Sequence, residues 1–279
     1  MSTEKSTLPV CAAAKTDWTN LTHHDILKMN TYDFMAFLGK RVINPGGIRG
    51  RDHILDLLKP EPGSHVLEIG GGSGHAACHI AESCQCRVTT IDISPRSVQE
   101  ARKVAAARGL SHVVKCETGD VNDLHFQEGA FDHVICQAVI MFVDQFRALC
   151  EVHRVLKQGG TFAGLEFCWK KSPSVDVREK TLGVCGCTTL DFHSLDGWLD
   201  KLNAAGFARV KGAEHPFGLL SLRGFLRDEG PANSFQIAMK VMGRRATMMR
   251  MSEIWGHFSR HSEYFSYAVF AGEKSGREV

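Results

Sequence analysis

The stretch Val66-Leu67-Glu68-Ile69-Gly70-Gly71-Gly72-Ser73-Gly74 leaves this chain few ways to fold. Val66, Leu67 and Ile69 suit a central strand of a parallel sheet, buried on both faces. Glycines at 70, 72 and 74 let the backbone turn tightly and approach a ligand with no Cβ atoms in the way. Residues 75–81 continue as a helix whose free amides point back at the loop. A strand, a glycine loop and a helix in that order predict an α/β fold that holds a nucleotide-like ligand.

The details narrow the ligand. A dinucleotide fingerprint needs Gly or Ala at its last position, and counting from Gly70 that position is His75. Glu68 at the mouth of the loop would repel a pyrophosphate, yet it could accept hydrogen bonds from a cationic amine. A positively charged ligand suits the loop better.

Glu68-x-Gly70-x-Gly72-x-Gly74 resembles the E/D-x-G-x-G-x-G motif of the class I S-adenosylmethionine (SAM) dependent methyltransferases, and the resemblance runs from about residue 66 to residue 167. It implies a Rossmann-like, seven-stranded α/β sheet, SAM as cofactor and a small-molecule acceptor. In that family the loop, here Gly70, Gly71, Gly72 and Gly74, lies against the amino-acid and ribose parts of SAM.

Two further acids fall in register. Residues 87–93 read as a second strand ending at Asp92-Ile93, where a carboxylate can take both ribose hydroxyls of an adenosine. Ser94 and Pro95 already supply a cap and a first helical residue, which frees Asp92 from that role. Gly119-Asp120-Val121 resembles the family's adenine-binding turn. A fourth strand over 131–139 puts Gln137 at its ligand-facing end, since ligands sit outside the carboxyl ends of parallel strands. There the chain reads Gln137-Ala138-Val139-Ile140 rather than Asn/Asp-Pro-Pro-Tyr/Phe, which argues against adenine-in-DNA and protein-glutamine substrates.

The candidate catalytic residues are Glu166, near the end of a fifth strand, Tyr32, whose hydroxyl could reach cofactor or acceptor, and His23 and His24. His193 and His215 fall near the same edge, and no motif marks any of the histidines. The Gly46-Gly47 turn could present amides to a carboxylate, or simply stop one helix and start the next.

The expected organisation is a poorly ordered lead-in at 1–20, a helical cap at 21–60, a SAM-binding core at 61–215, a helical insertion at 216–262, and a last antiparallel strand and tail at 263–279. The insertion is rich in methionine, suited to an adaptable apolar pocket or an interface, and its Arg244, Arg245 and Arg250 either hold an anion or form a solvated face.

With 43% hydrophobic residues over 279 positions the chain can build a large core, and a net charge of +2 makes no case for a nucleic-acid surface. No run is apolar for long enough to cross a bilayer, and the start lacks a secretion signal, so a cytoplasmic protein that engages no membrane is expected. Its partner is a small molecule, with room for a homodimer. The ten cysteines scatter through apparent core elements, most of them expected as reduced, small core residues. The pairs Cys84-Gln85-Cys86 and Cys185-Gly186-Cys187 do not have the usual metal spacing, so no metal is expected. The competing readings are a thiol or metalloid S-methyltransferase, an NAD-dependent oxidoreductase, and a SAM-binding partner subunit without catalysis.

Overall fold

The computed structural model describes residues 18, 20–187, 190–218 and 221–275, so most of the expected lead-in at 1–20 lies outside the described residues. Five parallel strands, β1 (His65–Ile69), β2 (Arg87–Asp92), β3 (Val114–Thr118), β4 (Phe131–Gln137) and β5 (Leu156–Trp169), join β6 (Ala208–Pro216) and β7 (Phe265–Glu273) in one sheet. The order is β3-β2-β1-β4-β5-β7-β6, with β7 antiparallel to both neighbours, the seven-stranded α/β sheet the sequence predicts. Strand order reverses beside β1, so the crevice at the carboxyl ends of β1 and β4 is the natural ligand position.

Alternation along β1 divides the core. Val66 packs with Ile54 of α3 (Gly47–Leu58), Ile80 of α4 (His75–Cys84) and Val98 of α5 (Pro95–Ala107) on one face. Leu67 and Ile69 turn to the other, where Leu149 of α6 (Gln145–Val155) and Trp198 of α8 (Leu195–Ala204) lie. Ser94 caps α5 through the Ser97 amide with Pro95 in its first turn, as the sequence suggests.

Two elements differ from expectation. β5 begins at Leu156 and includes Gly159 and Gly160, where a Gly-Gly pair ordinarily marks a turn. Helix α7 (Val175–Cys185) has no counterpart in the sequence reading, because its inward face of Val177, Thr181, Val184 and Cys185 mixes β-branched, hydroxyl and thiol groups and gives a weak helical stripe.

Helices α1 (His23–Lys28) and α2 (Thr31–Leu38) precede α3, while α9 (Leu222–Met242) and α10 (Arg245–Arg260) lie between β6 and β7. α9 breaks at Gly230, whose φ of 72° and following Pro231 interrupt the helical ladder. Just before the break, Glu229 accepts from Lys40 Nζ at 3.0 Å, from the Arg41 amide at 3.0 Å and from Asn233 Nδ2 at 2.7 Å. Asp228 accepts from the Ile48 amide at 3.3 Å. These two acids fasten the loop between α2 and α3. Arg250 is buried, with Nη2 donating to the carbonyls of Met29 at 3.0 Å and Val184 at 2.6 Å, so it staples α10 to α1 and α7 rather than facing a ligand.

Candidate active site

The glycine loop is fixed by β2. The amides of Gly70 and Gly71 donate to the Ile91 carbonyl at 2.8 and 3.0 Å, and the Gly72 amide donates to Asp92 Oδ2 at 3.0 Å. Asp92 Oδ1 accepts from the Ser94 amide at 2.9 Å, so the side chain spans the loop and the start of α5. Burial raises its pKa. Ile93 beside it is exposed, and the Gly119 amide donates to the Asp92 carbonyl at 3.2 Å, which brings the third loop to the second. Asp120 folds onto its own turn, accepting from the Asn122 amide at 2.8 Å, and Val121 is buried in the core.

Glu68 lies under the loop. It is buried, accepts from Thr90 Oγ1 at 2.8 Å, and burial pushes its pKa up to about 7. An added Cβ at Gly72 would meet nothing within 4 Å, so open space borders the loop next to the Asp92 carboxylate. An opening floored by a bare glycine and edged by acids fits a cationic nucleoside.

Gln137 ends β4, and its Oε1 accepts from Asn44 Nδ2 at 3.0 Å. Asn44 also accepts, through Oδ1, from the Gly46 amide at 3.0 Å, while the Gly47 amide donates to the Asn44 carbonyl at 3.2 Å. The turn amides of 46 and 47 thus have partners within the protein. The partner of Asn44 lies 93 positions on, and no local pattern reveals it.

Across from β4, Glu166 is fully buried on β5. Its Oε1 accepts from the amides of Val139 at 3.0 Å and Ile140 at 2.8 Å, and Oε2 has no partner among the described residues. Burial outweighs the amide bonds and pushes its pKa up to about 8. Burial, then Cys185 and Glu166, raise the pKa of Tyr32, whose ring meets Phe142 edge-on at 4.8 Å. Tyr32 borders an apolar cavity of about 20 Å³ with Met35, Phe167, Phe217, Ile254 and Phe258.

The histidines lie elsewhere. His23 and His24 are exposed on the first turn of α1, which packs along α10. Gln145 Oε1 holds His193 at 2.8 Å, and His215 stacks on His53 at 4.2 Å. Cys84 closes α4 and Cys86 points to the Ile80 carbonyl, so the pair diverges about the left-handed Gln85. Among the described residues no group of three or more His, Cys, Asp or Glu is placed to hold a metal.

A doubly wound sheet with a glycine loop on β1 and acids at the ends of β1, β2 and β5 defines a nucleoside-binding α/β enzyme. Residues 67–164 match the family model of the methyltransferase domain. The ubiquinone/menaquinone biosynthesis C-methyltransferase UbiE of Rhizobium leguminosarum is 30% identical over 182 residues, covering 63% of this chain and 68% of that enzyme. Phosphoethanolamine N-methyltransferase 1 of Arabidopsis thaliana is 27% identical over 176 residues, 62% of this chain, and the match spans only 34% of that relative. The fold is similar to that of Haemonchus contortus phosphoethanolamine N-methyltransferase 2 in complex with SAM, with a TM-score of 0.72 at 20% identity, covering 93% of this chain and 59% of that one. The chain belongs to the class I SAM-dependent methyltransferases.

Proposed function

We propose that this methyltransferase acts on a small-molecule acceptor positioned by Glu166 and the apolar cavity beside Tyr32. The observation that carries the reading is the fully buried Glu166 with one unpartnered oxygen, one residue past the Gln137–Leu165 pairing at the carboxyl edge of the sheet. The acceptors in the relatives' names, phosphoethanolamine and quinones, are small molecules.

Gly70, Gly71, Gly72 and Gly74 would border the amino-acid and ribose parts of SAM, Asp92 and Ile93 the ribose, Gly119, Asp120 and Val121 the adenine, and Gln137 the methyl-transfer edge, with Glu68 beneath the loop. Bound SAM supplies a sulfonium methyl group ready for in-line displacement. The chain's own residues align the acceptor and exclude water, which the aromatic walls at Phe167, Phe217 and Phe258 favour. Glu166, with a pKa raised to about 8, can receive the acceptor's proton near neutral pH. Tyr32 would orient the acceptor; His23 and His24, exposed on α1, are the weaker candidates for a base. The net charge of +2 supports an enzyme that works without nucleic acid.

Calorimetric titration with SAM, S-adenosylhomocysteine and NAD, on wild type and Asp92→Ala, tests the site. SAM and its product bind wild type, NAD does not, and the substitution abolishes binding. Methyl transfer is then assayed with phosphoethanolamine, sarcosine and a benzoquinol. SAM binding unaffected by Asp92→Ala would refute the assignment.

A further inference from the structure

α9 and α10 form a hairpin whose outer faces are apolar and whose connection is basic. On α9, Phe235, Met239 and Met242 recur at helical spacing and are 66%, 51% and 61% exposed, opposite the buried Ile237. On α10, Met248 and Trp255 stand seven residues apart at 49% and 55% exposure, opposite Arg250 and Ile254, with Met249 beside them. Single exposed apolar residues are ordinary, whereas six on two adjoining helices form a patch of the kind that marks a binding surface.

The charge of the same segment is one-sided. Across 235–255, the residues that carry the face, the sole acid is Glu253, ion-paired with Arg250 at 2.7 Å, while Lys240, Arg244 and Arg245 are exposed and the fourth cation, Arg250, is turned inward. A face of Phe, Trp and Met rimmed by Lys and Arg has the composition that lies in a headgroup boundary.

We propose that the α9–α10 hairpin docks this protein peripherally on an anionic lipid surface. The apolar side chains enter the boundary between headgroups and acyl chains, and Lys240, Arg244 and Arg245 meet the lipid phosphates. No helix among the described residues is long and apolar enough to cross a membrane, so the contact is reversible. A second copy of the chain suits the face less well. In a two-fold contact the same patch lies on both sides, and its one acid, Glu253, is already held by Arg250, so it brings no free counter-charge to Lys240, Arg244 and Arg245. The inner side of α10 contributes Ile254 and Phe258 to the apolar cavity, so one helix separates the docking face from that cavity.

Co-sedimentation of the full chain with vesicles tests this, using phosphatidylcholine alone and an equal mixture of phosphatidylcholine and phosphatidylserine. The protein binds the mixed vesicles, binds the neutral ones far less, and is released by salt. Arg244→Gln/Arg245→Gln weakens binding about thirtyfold, from about fivefold for each cation removed. Phe235→Ser/Met239→Ser also releases the protein, and both variants keep the wild-type melting temperature and SAM affinity. Equal binding to both vesicle types, no binding to the mixed vesicles, or indifference to both variants overturns the proposal. So does a wild-type dimer in sedimentation velocity that Phe235→Ser/Met239→Ser dissociates, which would assign the face to a second copy.

Discussion

Thr90 donates its hydroxyl hydrogen to the Glu68 carboxylate across 2.8 Å, tying β2 to β1 beneath the glycine loop. The same two side chains fill the space above Gly71, where an added Cβ would stand 1.8 Å from Thr90 Oγ1 and 2.8 Å from Glu68 Oε2. Gly71, an unspecified position in the motif, is therefore required by packing, whereas Gly72 borders open space.

Neighbouring substitutions separate these roles. Gly71→Ala must displace the buried Thr90–Glu68 pair and lowers stability by roughly 2 kcal/mol or more. Gly72→Ala meets no atom but holds a φ of 52°, so it costs about 1–2 kcal/mol, keeps the fold and weakens SAM binding. Thermal unfolding and calorimetry of both variants check this; an equal stability loss would contradict the packing.

The stability contributed by Glu68 and Glu166 should fall as pH rises from acid to mildly alkaline. Glu68 and Glu166 have folded pKa values of about 7 and about 8, above the ordinary 4.5, so the native state binds protons more tightly than the unfolded chain. Their contribution is fully present below about pH 4.5 and is lost as pH climbs through 7 and 8. Melting temperatures across that range should decline less in Glu68→Gln and Glu166→Gln than in wild type.

Turnover has the opposite slope. A base must be ionised, so kcat/KM rises with pH toward about 8, the pKa of Glu166. Glu166→Gln lowers kcat about 100-fold and removes that limb of the profile, while SAM affinity stays at the wild-type value. A variant that keeps the pH dependence would shift the base to another residue.

Asn44→Ala removes the 3.0 Å bond that holds the loop after α2 against Gln137. Losing one such bond costs about 1 kcal/mol, a roughly fivefold effect. It should appear in SAM or acceptor affinity, measured by calorimetry and initial rates, more than in melting temperature, because the loop stays anchored by Glu229 through Lys40 and Arg41.

What the sequence determined is local in origin. The apolar run at 66–69, the glycines after it and the cap at Ser94-Pro95 specify strand, turn and helix within a few residues of one another, and periodicity carries that information. The acids at 68, 92 and 120 stand at fixed offsets from those strands, so their positions were legible before any packing was known. What only the tertiary structure decided depends on distant partners. Glu166 meets the amides of Val139 and Ile140 from 27 and 26 residues away. Asn44 meets Gln137, and Glu229 meets Lys40 across 189 positions. Arg250, indistinguishable in sequence from Arg244 and Arg245, points inward because two backbone carbonyls from α7 and the α1–α2 turn converge on it. A buried polar group lies where its hydrogen bonds can be met, and only the assembled chain brings those partners together.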